Sequence, residues 1–260
     1  MSTNLKIKIR GLSKRFGSKC VLNNIELDIQ QGKSLVILGG SGSGKSVLIK
    51  CMLGIIEADK GDVYLDGIKI NYEDAKSRDR IISQSGMLFQ GGALFDSLNI
   101  WENIAFGLFQ RQKISRDNGR LQALECLKEV GLGIEIANLY PSELSGGMQK
   151  RVSLARAIAT KPEIIFFDEP TTGLDPIMAD VINNLIIQSV KRLGATAITI
   201  THDLGSLYKI ADNVAFLREG KIDWYGPLSA LQTCSNQHLQ HFIKGQSVDE
   251  IVSIKPHLVV

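Results

Sequence analysis

The chain has 260 residues, of which 44% are apolar and 22% charged, so it is long enough for one large globular domain or two small ones. Its net charge of +3 is too small to indicate a nucleic acid or an anionic membrane as partner. Its four scattered cysteines form no CxxC pair that would indicate a zinc site or a disulfide framework. The sequence shows no signal peptide and no run of about 18–20 apolar residues, so we expect a soluble protein that other subunits hold at a membrane if it acts there.

Three strands are predicted near the start of the chain. Apolar and polar residues alternate in 5–9 and in 25–29, which is typical of antiparallel strands with one face in water. Ser34–Leu38 is instead a continuous apolar run followed by glycine. This pattern predicts a central strand that is buried on both faces.

A glycine-rich loop follows that central strand. The segment Gly39–Ser46 fits the pattern GxxxxGK[ST], and it opens a helix predicted from about Lys45. Glycines let successive backbone N–H groups point at phosphate oxygens, and the N-terminal end of the helix is positive. Lys45 is expected to reach the β- and γ-phosphates of ATP, and the Ser46 hydroxyl to bind Mg²⁺. The predicted ATP contacts in this loop are Gly39, Gly40, Ser41, Gly42, Ser43, Gly44, Lys45 and Ser46.

The next part of the chain contains two short strand candidates, Val63–Leu65 and Ile81–Ile82. Gln90 then ends an apolar segment that begins at Met87. Its side chain is a candidate ligand of Mg²⁺ and a candidate contact of the attacking water. Taken alone, a polar residue that starts a loop is the simpler interpretation of Gln90.

From about residue 91 to residue 160 the pattern becomes mostly helical and reads as an insertion. Leu121–Val130 is predicted as an amphipathic helix, with Leu121, Leu124, Leu127 and Leu132 near one face.

The segment Leu144–Gln149 opens a second helix of this insertion. Ser145 is a good N-cap, and with Gly146 and Gly147 it leaves free N–H groups that favour an anion. Ordinary helix capping is the alternative. One chain has no obvious need of two phosphate cradles, so the simplest use of this one is to close over the nucleotide held by another copy. The sequence therefore predicts a dimer.

After the insertion, buried strands alternate with helices, which implies a parallel α/β sheet. The predicted elements are Ile164–Phe167, Ile177–Leu193 and Ala197–Ile200. Asp168 and Glu169 stand at the C-terminal tip of the first strand, where ligands bind in open α/β sheets. Asp168 is expected to hold the Mg²⁺ shell, and Glu169 to polarise a water in line with the γ-phosphate.

Three further residues are candidates for contacts with the nucleotide or with a second subunit. His202 follows a predicted strand and is a candidate sensor of the γ-phosphate. Phe16 ends the first strand and is a candidate for stacking on adenine, although an aromatic residue in this position is equally compatible with a core role. Asp175 continues from the acidic strand and is a candidate bridge to a partner subunit.

Near the end of the chain, Val214–Leu217 and Lys221–Tyr225 predict a hairpin around Glu219-Gly220, and Gln246–Val260 is left unassigned. We therefore expect one domain over residues 5–240, with the helical insertion at about 91–160, and a C-terminal tail over 241–260.

These motifs, in this order, resemble the nucleotide-binding domain of ABC transporters over roughly residues 5–240. The resemblance implies an α/β P-loop NTPase fold with a RecA-like parallel-sheet core, an N-terminal antiparallel β-subdomain and a helical subdomain insertion. It implies an ATPase whose two copies sandwich two ATP molecules head to tail, with Ser145 of one copy capping the γ-phosphate bound by Lys45 of the other. In the family, the surface after Gln90 receives a short helix of a membrane permease. Phe95, Leu98 and Trp101 are the apolar candidates for that contact.

Finer details are similar to the Mla/Mkl branch, the ATPases paired with MCE-domain lipid transporters. Val47, Met148 and Gly40 depart from the residues most usual in the wider family, without removing a side chain that contacts phosphate. The phrases that carry this likeness are Gly44–Val47, Met87–Asp96, Trp101–Ile104, Leu144–Arg151 and Asp168–Ile177. The branch implies a permease, an MCE-domain protein and a small STAS-domain subunit as partners, phospholipid or a related lipid as cargo, and a cytoplasmic location on the inner face of the cell membrane.

Two other functions remain open at this point. One is an ATPase of an ABC importer for a different small molecule. The other is a soluble ABC-type ATPase of DNA repair or translation. The segment between Lys45 and Ser145 has neither the heptads nor the CxxC pairs of repair members, and the chain carries a single cassette. An ATP-binding module without turnover would require the loss of Glu169 or His202, and both are present.

Overall fold

The computed structural model describes residues 4–245, and the unassigned segment 246–260 lies outside the described residues. Two sheets organise this part of the chain. The four-stranded antiparallel sheet has the order β2-β1-β4-β5. Its strands are β1 (Leu5–Phe16), β2 (Lys19–Gln30), β4 (Lys60–Leu65) and β5 (Ile68–Lys69). The predicted antiparallel N-terminal subdomain is therefore confirmed.

The six-stranded sheet has the order β10-β9-β3-β8-β7-β6. All neighbours in it are parallel except the edge strand β10, which returns antiparallel to β9. Its strands are β3 (Ser34–Leu38), β6 (Ser85–Leu88), β7 (Ile164–Asp168), β8 (Thr196–Thr201), β9 (Asn213–Arg218) and β10 (Lys221–Pro227). Continuous apolar strands occupy its centre because both faces are covered, which confirms the prediction for Ser34–Leu38.

Eight helices surround the sheets in the described range. They are α1 (Lys45–Met52), α2 (Ala75–Gln84), α3 (Ile100–Gln112), α4 (Arg116–Glu129), α5 (Gly146–Ala159), α6 (Pro176–Leu193), α7 (Leu204–Ile210) and α8 (Gln237–Ile243). Short 3₁₀ turns occur at Ile134–Asn138, Pro141–Glu143 and Leu228–Ala230. No helix within this range combines the length and apolar character needed to cross a bilayer. Helix α8 runs across the expected domain boundary at residue 240.

Three apolar cores hold these elements together. One lies between the two sheets and encloses α1. A second joins α3, α4 and α5 to α6 and to one face of β7, and a third lies under α7 and α8 on β3 and β9. The helical insertion thus shares its core with the sheet at β7, the strand that ends in Asp168.

Lys6 is an exception to the polar-out alternation of the first strand, because its side chain is only 2% exposed. Its ammonium pairs with Asp66 Oδ2 at 2.9 Å and with Glu163 Oε2 at 2.6 Å, and it donates to Gln84 Oε1 at 3.1 Å. These partners come from the β4–β5 turn, the end of α2 and the residue before β7. A buried charge with several partners of this kind ties the antiparallel sheet to the parallel one.

Two details of the predicted elements are wrong. Ile81–Ile82 belongs to α2 and not to a strand, because Asp74 caps this helix by accepting from the Ser77 N–H, and the chain becomes extended only at Ser85. A two-residue apolar run cannot distinguish helix from strand.

In α4, Leu121 is 60% exposed, because the buried face of this helix consists mostly of smaller residues. These are Gly119, Ala123 and Cys126, together with Leu127.

Candidate functional site

Most of the predicted site residues meet at the C-terminal edge of the parallel sheet. The glycine-rich loop follows β3, Gln90 follows β6, Glu169 follows β7 and His202 follows β8. They surround an open cleft of about 610 Å³. Its lining is Lys19, Val21, Gly40, Ser41, Gly42, Ser43, Gly44, Lys45, Ser46, Val47, Gln90, Glu169, His202 and Phe242.

The loop between β3 and α1 has the features of an anion cradle. No side chain caps the N-terminus of α1, and the Ser43 hydroxyl is buried without a hydrogen-bond partner in the described part of the chain. Gly39 is required by packing, since a Cβ there would lie 2.4 Å from the Leu217 carbonyl oxygen. Unsatisfied N–H groups at a helix start and an unpartnered hydroxyl fit the oxygens of a phosphate chain.

Lys45 is held over this loop. It is 7% exposed, and its Nζ donates to the carbonyl oxygens of Gly39 at 2.7 Å and Gly40 at 3.0 Å. Burial lowers the pKa of Lys45, while the nearby charges of Glu169 and Asp168 raise it. The Glu169 Oε1 atom lies 3.9 Å from the ammonium. One ammonium and two carboxylates carry a net negative charge, so an anionic ligand would bind here together with a cation.

Asp168 is in direct contact with Ser46, although only Ser46 is among the residues that line the cleft. The Ser46 hydroxyl donates to Asp168 Oδ1 at 3.4 Å, and Asp168 is 8% exposed. Burial, and then the charge of Glu169, raises the pKa of Asp168, while the Ser46 hydrogen bond and the charges of Lys50 and Lys45 lower it. A cation at this point would favour the ionised carboxylate.

The donor set fits Mg²⁺. Ser46, Asp168 and Gln90 offer hydroxyl, carboxylate and amide oxygens, which are hard ligands of the kind that Mg²⁺ prefers. Residues 4–245 hold no group of three or more His, Cys, Asp or Glu that could bind a metal unaided. Mg²⁺ needs only one or two carboxylates when substrate phosphates supply further oxygens.

Both the side chain and the backbone of Glu169 are held by contacts that its position at a strand end does not by itself predict. Its Oε2 accepts from the Thr172 hydroxyl at 3.0 Å, and the Nδ1 of His202 lies 3.0 Å from the same oxygen. Its backbone has φ +48°, an uncommon conformation for a residue with a side chain, and its N–H donates to Ile200 O at 2.9 Å. Thr172 and His202 therefore restrict the orientation of the carboxylate, whose Oε1 lies 3.9 Å from Lys45 Nζ.

His202 contacts Glu169 directly, a contact that was not anticipated from the sequence. Its side chain is 60% exposed and lines the same cleft. Its predicted contact with the γ-phosphate stays a prediction. Thr172 was also missed, since a threonine one turn after an acidic strand gives no signal of its own.

The second predicted cradle is not part of this cleft. Ser145 caps α5 by accepting from the Met148 N–H at 3.3 Å. Ser145 and Gly146 are exposed, and neither they nor Gly147 is among the described residues that line the cleft. Asp175 likewise caps α6, accepting from the N–H groups of Ile177 and Met178 at 2.9 Å.

Phe16 stands beside the cleft and not in its lining. The ring is 48% exposed at the end of β1, with the Lys14 ammonium 5.5 Å from its centroid. Lys19 and Val21 of β2 line the cleft on that side, and Phe242 of α8 lines it on another. Lys19, Val21 and Phe242 were missed because nothing in their local sequence indicates a ligand.

A second, apolar groove of about 440 Å³ lies beyond Gln90. We name it the apolar groove, and its most exposed apolar lining residues are Ile55, Ile82, Phe95 and Phe106. Of the three apolar residues predicted near this surface, Phe95 lines the groove and Leu98 is half-buried. The prediction that Trp101 contacts the permease at this surface is wrong, because its side chain is only 4% exposed. The Arg116 guanidinium lies 4.9 Å from the centroid of its ring.

Comparison with known proteins gives a consistent result. The profile of the family described as ABC transporter matches residues 22–172. The glutamine transport ATP-binding protein GlnQ of Escherichia coli K12 is 40% identical over 92% of this chain and 98% of its own. The intermembrane phospholipid transport system ATP-binding protein MlaF of Escherichia coli K12 is 37% identical over 92% of this chain and 88% of its own.

Among solved structures, the fold is similar to the dimeric post-hydrolysis state of the ATP-binding cassette MJ0796 bound to ADP and Pi. The TM-score is 0.78 and the identity 32%, over 85% of this chain and 98% of that one.

Proposed function

The chain belongs to the ABC transporter family and is an ATP-hydrolysing subunit of such a transporter, and we propose that it drives a permease that moves phospholipid or a related lipid. The convergence of Lys45, Glu169 and His202 on one cleft supports the ATPase chemistry. The similarity to the phospholipid transport protein MlaF supports the lipid cargo.

In this proposal each cleft residue has one task. The loop N–H groups and Lys45 bind the phosphates of ATP, while Glu169 accepts a proton from the attacking water and His202 orients Glu169 through Nδ1. Ser46, Asp168 and Gln90 would hold Mg²⁺, which neutralises charge on the β- and γ-phosphates when bound. Phe16 would reach the adenine from the rim of the cleft.

Two copies are needed for a complete site. Because Ser145, Gly146 and Gly147 lie away from their own cleft, they are free to cap a nucleotide bound by a second copy. The dimeric cassette with 32% identity supports this arrangement. We therefore propose a head-to-tail homodimer in which Ser145 of one subunit acts with Lys45 of the other, and Asp175 lies near their contact.

Mixing two inactive variants tests action between subunits. We expect Ser145→Arg and Lys45→Ala to be inactive as separate homodimers. Their heterodimer retains one site with both Lys45 and Ser145, so the mixture should regain ATP-dependent dimerisation and part of the turnover. Dimerisation is measured by size-exclusion chromatography and turnover by phosphate release. A mixture as inactive as its components would contradict the head-to-tail arrangement.

The apolar groove is the proposed contact of the permease. It exposes Ile55, Ile82, Phe95 and Phe106 on one surface, a composition typical of a protein-binding site. A short permease helix with an apolar face would bury them. This contact would hold the chain on the inner face of the cell membrane, and the MCE-domain and STAS-domain subunits would join through the same complex.

The lipid cargo is tested on the intact complex. We expect the purified complex of this chain and its permease to carry phospholipid enriched over the surrounding membrane, as measured by mass spectrometry of extracted lipids. The 40% identity to the glutamine transport protein GlnQ favours a second candidate, an importer of a small polar solute. A complex without enriched lipid, whose ATPase is stimulated by an amino acid and its binding protein, would favour that candidate.

A further inference from the structure

One face of α5 holds the segment after Gln90 through its main-chain carbonyls. Lys150 Nζ donates to the carbonyl oxygen of Gln90, and the Ser153 hydroxyl lies within hydrogen-bond distance of Gly92 O at 3.1 Å as well as of Gln149 O in its own helix at 2.8 Å. The Arg156 guanidinium donates to Gly92 O at 2.7 Å and to Ala93 O at 2.6 Å. Three side chains, each about one turn after the last, thus reach a single stretch of four residues. We name Lys150, Ser153 and Arg156 the α5 clasp.

Two of the three clasp residues are buried, and the contact is closely fitted. Ser153 is fully buried, and Lys150 is only 7% exposed. Gly92 has φ +75°, and a Cβ at this position would lie 2.7 Å from Ser153 Oγ. A side chain here would force the segment away from the helix, so the glycine permits the contact as well as the turn.

Lys150 is unusual among the buried charges of the molecule. Within residues 4–245 it forms no ion pair, and its ammonium faces a neutral carbonyl. Burial lowers the pKa of Lys150, and the charges of Asp168 and Glu169 raise it. Burying an ammonium without a carboxylate is costly, and a neutral residue would fill this space at lower cost. Within the described part of the chain, the hydrogen bond that this ammonium donates goes to the carbonyl of Gln90.

The two ends of the clasp lie at functional surfaces. Lys150 stands just over one turn after Ser145 and touches Gln90, which lines the nucleotide cleft. Arg156 lines the apolar groove and lies 5.8 Å from the ring centroid of Phe95. Helix α5 therefore contacts Gln90, a residue of the cleft lining, at one end of the segment and lines the apolar groove at the other.

We propose that Lys150 is a positioning residue that holds the side chain of Gln90 in the cleft by fixing its main-chain carbonyl, with Ser153 and Arg156 completing the clasp. This inference rests on the proposed role of Gln90 at Mg²⁺ and the attacking water. Lys150 does not touch the nucleotide. Its effect on turnover passes through Gln90 alone, so the two residues are energetically coupled.

A double-mutant cycle on the full chain tests the coupling. We expect Gln90→Ala and Lys150→Met each to lower kcat about tenfold or more, with the Kd for ATP changed less than about threefold. In the Gln90→Ala background, Lys150→Met should lower kcat no further, because the side chain that it positions is gone. Lys150→Arg keeps a donor and should recover most of the loss.

A matched control lies on the same helix. Arg151 donates to Gly131 O at 3.3 Å on another face of α5, so Arg151→Met should leave kcat within about twofold. Melting temperatures show whether each variant folds. If Lys150→Met does not fold, Ser153→Ala, which removes one hydroxyl, takes its place in the cycle and should also lose its effect in the Gln90→Ala background.

The outcomes separate the two proposals. Losses that multiply in the double variant would overturn the clasp and leave the role of Gln90 intact. A Gln90→Ala variant with unchanged kcat would overturn the role of Gln90 and the clasp together. A threefold or larger change in the Kd for ATP with Lys150→Met, at unchanged kcat, would also overturn the clasp.

Discussion

Replacing Glu169 by Gln should lower the rate of ATP hydrolysis by a factor of about 10²–10⁴, the usual contribution of a positioned general base. The amide keeps the shape of the carboxylate but has lost most of its basicity, so it cannot take the proton of the attacking water. Phosphate release at saturating ATP measures this loss. The Kd for ATP should change little, because the phosphate contacts come from Lys45 and the loop.

The geometry explains why so small a change is expected to have so large an effect. The Glu169 carboxylate accepts from Thr172 and contacts His202, which together restrict its orientation, and the Lys45 ammonium lies 3.9 Å away. An amide in the same place retains only part of that network. Because hydrolysis is slowed while binding persists, the ATP-bound dimer should accumulate and be visible by size-exclusion chromatography.

A glutamate remote from the cleft provides the control. Glu125 is exposed on α4, and Glu125→Gln makes the same chemical change without touching the site. Its turnover should stay within about twofold of the unaltered chain. If Glu169→Gln were as active as Glu125→Gln, Glu169 would not be the general base and the assignment of the cleft chemistry would be wrong.

Much of the fold could be predicted because the apolar pattern of each segment agrees with the burial of that segment in the folded chain. Ser34–Leu38 and Ile164–Phe167 are continuous apolar runs, a pattern typical of strands that are covered on both faces. The hairpin around Gly220 and the helix that opens at Ser145 carry turn and cap residues at the right offsets. Where the pattern was short, as at Ile82, the sequence could not distinguish helix from strand.

The clustering of the cleft residues could be predicted for a different reason, since they follow strand ends that the topology brings to one edge. What could not be predicted depends on contacts between distant segments. Nothing local shows that Lys150 reaches the carbonyl of Gln90, or that Trp101 is covered by Arg116. The positive φ of Glu169 is likewise a tertiary effect, since its N–H is held by Ile200 of the neighbouring strand.

Lys45→Ala should weaken ATP binding by about one to two orders of magnitude, since a hydrogen bond to a charged group contributes about 1.5–3 kcal/mol. The ammonium is already fixed by Gly39 and Gly40, so it meets a phosphate with little loss of side-chain freedom. The loop carbonyls also lose their donor in this variant. Isothermal titration with ATP and Mg²⁺ measures the change in Kd.

Thermal unfolding gives an independent measure of the same loss. A ligand at 100 times its Kd stabilises a protein by about 2.7 kcal/mol, which for a chain of this size raises the Tm by roughly 5–10 °C. The Lys45→Ala variant should show about half of this rise or less at the same ATP concentration, because its Kd is expected to be about 10 to 100 times weaker. Lys33→Ala removes an exposed lysine at the opposite end of β3 and should keep the full rise. Each variant loses one lysine side chain, and only Lys45 lines the cleft. Equal stabilisation of both variants by ATP would therefore contradict the phosphate-binding role of Lys45.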